Sequence, residues 1–117
     1  MANEISISAN LTFTTGGASI SRAEGKQVTV AGDAFTHQVQ LIAAASPTAF
    51  LEGDAIGSPG YIFIKNLDDA NTVSVGLSTQ YSISLKPSEF ALFRAAAAIY
   101  AQATTADCLV EYVIIEE

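Results

Sequence analysis

Turn signals recur about every ten residues along this chain, and between them apolar side chains alternate with polar ones. A period of two puts successive side chains on opposite faces of an extended strand, so the pattern admits strands and excludes helices over most of the length. Ile5, Ile7, Ala9, Leu11 and Phe13 alternate with Ser6, Ser8, Asn10, Thr12 and Thr14, which predicts a half-buried strand with one wet face. Gly16-Gly17 supplies a turn with free access to positive φ. A short strand is expected from Ala18 to Arg22, a second turn at Ala23-Glu24-Gly25, and a further pair at Val28 and Val30 before Gly32-Asp33. Phe35, Val39 and Leu41 share a strand face with His37, opposite Thr36, Gln38 and Gln40.

From Ala43 to Pro59 the alternation fails, and Pro47, Gly53, Gly57 and Pro59 punctuate a long loop. Phe50, Leu51 and Ile56 are apolar within it, so it is expected to fold onto the body or onto a partner. Tyr61, Ile62, Phe63 and Ile64 then form an unbroken aromatic and β-branched run, the mark of a strand buried on both faces. Asp68-Asp69-Ala70-Asn71 is a turn, and Val73, Val75 and Leu77 are read as returning antiparallel to the first strand. That reading makes Gly60 to Gly76 a core hairpin, with Phe63 and Val75 in the core on paired strands.

Tyr81, Ile83 and Leu85 alternate again before the turn Pro87-Ser88-Glu89. Residues 88–103 admit two readings. Ser88 can cap a helix through Ala95 to Ala98, or two strands can be joined by a small-residue turn. Such a helix would be apolar nearly all round and need complete burial, so the strands are preferred. Leu109, Val110, Tyr112, Val113, Ile114 and Ile115 close the chain before Glu116-Glu117, whose charges guard a sticky strand against edge pairing. The total is about eight to ten short strands, which predicts one all-β domain over residues 1–117, an antiparallel sandwich or barrel.

At 117 residues and 50% hydrophobic composition, the chain has the material for a real core. Twelve acidic residues against five basic ones give a net charge of −7, which repels phosphate backbones and anionic lipid heads. Neither nucleic acid nor membrane is therefore expected as a partner. The single Cys108 excludes an internal disulfide and a cysteine metal cluster. The start Met-Ala-Asn-Glu lacks the basic and apolar regions of a signal peptide, and no run approaches the ~20 apolar residues of a span. The expectation is a soluble product made, and kept or assembled, in a cytoplasm.

Residues that carry chemistry are few. His37 is the sole histidine, no Gly-x-Ser-x-Gly elbow occurs, and a histidine on the apolar side of a strand reads as a satisfied core or interface residue. Cys108 opens a hydrophobic strand, where a thiol acts as a small buried hydrophobe. Asp68, Asp69 and Asn71 cluster oxygen ligands of the kind calcium uses, but Asx-type turns account for them without a metal. Glu52 and Asp54 flank Gly53, a pairing common in any acidic protein. Gly16-Gly17 is not followed by a helix, so no phosphate cradle is indicated. The expectation is a chain without enzymatic activity, cofactor or metal.

The C-terminal half carries a recognisable order of motifs. Gly-Tyr-Ile-Phe-Ile-Lys-Asn-Leu-Asp from Gly60, Asn71-Thr-Val-Ser-Val-Gly76, and Leu85-Lys-Pro-Ser-Glu-Phe-Ala-Leu-Phe-Arg94 follow one another. Ile99-Tyr100-Ala101 and Val110-Glu111-Tyr112 complete the series. This order resembles small β-sandwich virion proteins of tailed bacteriophages, although Ser88 stands where the pattern often has Gly. The resemblance implies a jelly-roll-like sandwich that cements or decorates the capsid, on the surface of the virion, or sits in the tail. It implies the major capsid protein as partner. A tail or fibre component contacting a host receptor is the alternative, followed by a carbohydrate-binding module, against which the absence of Trp speaks.

The residues themselves suggest where contacts lie. The first strand starts near a chain end and is placed to pair with a neighbouring edge, and the long loop carries apolar side chains among Gly and Pro. Residues 1–14 and 46–59, with Ile5, Ile7, Phe50, Leu51 and Ile56, are therefore the expected contacts to sister subunits or the shell. The protein itself is expected to be a homo-oligomer, a trimer first and a dimer second.

Overall fold

The computed structural model describes residues 5–29, 34–50, 59–77 and 80–116, and among them every regular element is a strand. The chain separates into two units, residues 1–31 and residues 32–117.

The first unit is a ribbon of two strands, β1 (Ile5–Thr15) and β2 (Ala18–Val28), paired from Ile5 with Val28 to Thr15 with Ala18. Gly16 and Gly17 have φ of 46° and 91°, the two positive angles of a type I′ turn, which matches the right-handed twist of a hairpin. That two-residue turn fixes the register for the whole ribbon. It also corrects the expected turn at Ala23-Glu24-Gly25: these residues continue β2, opposite Asn10, Ala9 and Ser8. The half-buried face expected for β1 is corrected too. Leu11, Phe13 and Ile20 share one face and are 68%, 55% and 62% exposed.

The second unit holds β3 (Phe35–Ile42), β4 (Thr48–Ala49), β5 (Pro59–Asn66), β6 (Val73–Leu77), β7 (Gln80–Leu85), β8 (Phe90–Arg94), β9 (Tyr100–Ala103) and β10 (Cys108–Glu116). They form two four-stranded antiparallel sheets, in the orders β3-β10-β5-β8 and β4-β9-β6-β7. The chain changes sheet at almost every connection, and the two orders together are those of a jelly roll. The all-β sandwich read from the alternation is thus the fold. Residues 88–103 are the two strands β8 and β9 joined through Ala95–Ile99, so the small-residue run is a connection and not a helix.

The core lies between the sheets. Ile42, Ile62, Ile64, Val110, Tyr112 and Ile114 face it from one side. Val73, Val75, Leu85, Ala101 and Ala103 face it from the other. Phe50, just after β4, packs its ring 4.9 Å from that of the fully buried Tyr112.

The core hairpin expected at Gly60 to Gly76 is not formed, because β5 and β6 belong to different sheets. Val75 is buried as expected, but its partners are Ile83 and Ala101. Phe63 pairs with Val113 and Leu92 and points away from the core, half-buried. The physical reason is Asn66. Its side chain is wholly buried, and the chain after it turns across the sandwich instead of doubling back. At the β6–β7 connection a bulge brings the backbone close to Gly76, where a Cβ would lie 2.4 Å from the Gln80 carbonyl oxygen. Only glycine fits there.

Candidate interaction surface

The alternation of β3 has an unexpected sense. Antiparallel pairing sets Ile42 opposite Cys108, Gln40 opposite Val110, Gln38 opposite Tyr112 and Thr36 opposite Ile114, so this mostly polar set shares the side of the core. Phe35, His37, Val39 and Leu41 consequently face outward, so of the two places expected for His37, core or interface, the core is excluded. Across the sheet the register extends the outer face in rows. His37, Val113, Phe63 and Leu92 make one, and Val39, Glu111, Lys65 and Phe90 make the next. Leu41 opposite Leu109 lies beyond them.

The outer face of the β3-β10-β5-β8 sheet is therefore apolar in most positions. Phe35 is 70% exposed, Phe90 65% and Leu41 56%, and Val39, Leu92 and Leu109 are also exposed. Four strands about 4.8 Å apart and four rows about 6.8 Å apart give this face a planar footprint of about 500 Å². That footprint includes His37, Glu111, Lys65 and Arg94, and its apolar part falls within the roughly 300–600 Å² of the largest patch on a typical monomer, which is often functional.

Two of the polar side chains on the face have partners there, and Lys65 stands between Glu111 and Phe90 in its row. His37 Nε2 lies 2.8 Å from a Glu111 carboxylate oxygen. The Arg94 guanidinium sits 5.5 Å from the centre of the Tyr61 ring, its partner across the strands. Phe63 and Phe90 stack with ring centres 5.9 Å apart.

The residues singled out in the sequence fall elsewhere. Phe50 is buried in the core, which corrects its assignment as a surface contact. Leu51 and Ile56 lie outside the described residues. Ile5 is buried and Ile7 half-buried, and both belong to the ribbon. Glu52 and Asp54 also lie outside the described residues. Asp68 is spent on a turn: its carboxylate accepts from the backbone N–H of Ala70 at 2.9 Å and of Asn71 at 2.5 Å. Those two donors, Ala70 first, hold its carboxyl below the ordinary carboxylate value. Burial, with the charges of Asp68 and Asp107 behind it, raises the Cys108 thiol, so it stays protonated and unreactive. Among the described residues there is no group of three or more metal-ligating side chains and no helix long and apolar enough to cross a membrane. The depressions along the ribbon, lined by Ser8, Ala9, Asn10, Ala23, Glu24 and Gly25, are open furrows where small residues face each other.

Compared with protein-family models, curated proteins and solved structures, the chain matches none.

Proposed function

We propose that this protein is a structural component of a bacteriophage particle, a capsid cement or decoration protein that works by contact and not by chemistry. The observation that carries the reading is the apolar outer face of the β3-β10-β5-β8 sheet, with Phe35, Val39, Leu41, Phe90, Leu92 and Leu109 exposed on it. A sheet whose outer side is as apolar as this is completed by a neighbour. The motif order of the C-terminal half points to the virion as the setting, with sister copies and the major capsid protein as the neighbours. Aliphatic side chains between the aromatics favour a protein surface over a sugar, which stacks on open aromatic platforms.

The mechanism follows from mass action. A subunit that binds the assembled shell and not its separated parts stabilises the shell by its binding free energy. Symmetry repeats that contact over many copies, so weak single contacts sum to strong attachment.

Particles purified from cells that make this chain test the reading. The chain should sediment with them in a fixed ratio and resist a salt wash, and a Leu92→Asp, Phe90→Asp variant should stay in the supernatant. Particles free of the wild-type chain would overturn it.

A further inference from the structure

We infer that the outer face of the β3-β10-β5-β8 sheet pairs with the same face of a second copy, about a two-fold axis running along the strands between β10 and β5. The inference deepens the reading above by naming the occupant of that face and its orientation. It is tested without particles, so its failure leaves the particle assignment standing.

The charges of the face select the occupant. Among the described residues its rows hold one carboxylate, Glu111, and two full cations, Lys65 and Arg94. Arg94 lies against the Tyr61 ring, and Glu111 reaches diagonally to His37 on β3, at 2.8 Å. Lys65, opposite Glu111 in the pairing of β5 with β10, makes no ion pair among the described residues. A purely apolar cover would strand that ammonium, so the cover needs a carboxylate set among apolar side chains. The face itself is such a surface.

The register decides what meets what. Rotation about an axis along the strands lays β10 over β5 and β3 over β8 of the second copy, and keeps each row over itself. Glu111 then faces Lys65 of the second copy, and Lys65 faces its Glu111. Val113 meets Phe63 and Val39 meets Phe90 in the same two rows. Sheets pack about 10 Å apart, a gap that a Glu and a Lys side chain span together. The usual turn of about 30° between packed sheets displaces side chains this near the axis by only about 2 Å. An axis across the strands sets Glu111 over Val113 and Lys65 over Phe63 instead, charge on apolar surface, and is disfavoured.

Neither net charge nor area opposes the pairing. The cations of the face outnumber its carboxylate on a chain of net charge −7, and salt at about 0.15 M screens charges more than about 8 Å apart. Two footprints of about 500 Å² bury about 1,000 Å² in all, the lower limit of a specific interface. The pair is therefore weak alone and gains from repetition in an assembly.

Sedimentation velocity on the purified full chain, over a concentration series, decides. Wild type should pass from monomer to dimer in the micromolar range. Glu111→Lys and Lys65→Glu should each weaken dimerisation by at least about tenfold, since each sets two pairs of like charges in contact. An equimolar mixture of these two variants should form a mixed dimer like wild type, because every Lys then faces a Glu. Both variants stay net acidic, so bulk attraction does not imitate that result. The double variant Glu111→Lys, Lys65→Glu keeps a cross-strand pair within each chain and should dimerise like wild type, whatever the single changes do to folding. Arg22→Glu, the same change of charge on the β1–β2 ribbon, should leave dimerisation unchanged. A wild type still monomeric at about 1 mM, the weak end of measurable affinity, overturns the proposal. So does a trimer, a mixture no tighter than its separate variants, a monomeric double variant, or an Arg22→Glu chain weakened as much as Lys65→Glu.

Discussion

The side-chain amide of Asn66, at the end of β5, donates to the carbonyl oxygen of Leu85 at 3.0 Å, joining the last residues of strands in opposite sheets. The same nitrogen donates to the Asn71 carbonyl at 2.9 Å, and the side-chain oxygen accepts from the Asp68 N–H at 2.9 Å. The backbone of Asn66 is engaged as well, donating to Glu89 and accepting from Ser88. The buried side chain therefore ties the end of β5 to the turn after it and to the end of β7, while the backbone of the same residue holds the turn before β8.

Asn66→Ala should destabilise the jelly roll by about 2–4 kcal/mol, because it strands buried acceptors that each cost about 1–3 kcal/mol when unpaired. Urea unfolding would measure it. A loss below about 1 kcal/mol would mean that water enters and replaces the amide.

Ser88 sits at φ 70°, in the left-handed region, and Glu89 N–H donates to the Lys86 carbonyl at 3.0 Å. With Pro87 before it, this is a type II turn, whose third position asks for glycine. A non-glycine residue there costs about 1–2 kcal/mol, partly offset by the greater chain entropy a glycine loses on folding. Ser88→Gly should raise stability by about 0.5 kcal/mol, read as a higher denaturant midpoint at unchanged slope. Ser88→Val should lower it.

Much of this was legible before any coordinates. Period-two alternation in β7 and β10, the strand reading of residues 88–103 and the turn at Pro87-Ser88-Glu89 all follow from residue types and local sterics. Which face of a strand meets the core does not follow. Alternation in β3 separates Phe35, Val39 and Leu41 from Thr36, Gln38 and Gln40, but only pairing with β10 sends the apolar set outward. The crossing from β5 to β6 was obscured for a similar reason. Residues 67–72 are long for a tight hairpin, and that length was the available signal. Asn66 is one polar residue at the end of an apolar run, and nothing in the residue types around it shows that its work is inside the sandwich. Loop composition leaves open whether Phe50 packs onto the body or onto a partner, and only the packing of β4 beside β9 brings it over Tyr112.

Asp68 predicts an acid dependence. Its folded-state pKa lies below the ordinary 3.8, because Ala70 and Asn71 N–H groups bind the charged form. The unfolded chain then binds the proton more tightly, so stability rises with pH across that window. The contribution is present above the unfolded value and is lost as pH falls through the folded one. Asp68→Asn removes the titration, so its unfolding midpoint should fall less steeply than wild type from neutral pH to about pH 2. Parallel curves for the two proteins would show that the turn does not feel the charge.

Phe50 and Phe63 give the sharpest comparison, because both are phenylalanines and the sheets treat them oppositely. Phe50 is buried against Tyr112 inside the sandwich, while Phe63 is half-buried on the outer face beside Phe90. Truncating a buried ring removes its transfer free energy and leaves a cavity, so Phe50→Ala should cost about 3–5 kcal/mol. Phe63→Ala removes no core packing and opens no enclosed void. It should cost about 1 kcal/mol, the worth of a ring stack and partial burial. The two changes should also separate by assay, with Phe50→Ala lowering the melting temperature and Phe63→Ala acting mainly on association through the outer face. Equal losses of melting temperature would place Phe63 inside the folding core and remove the outer face as a surface kept for a partner.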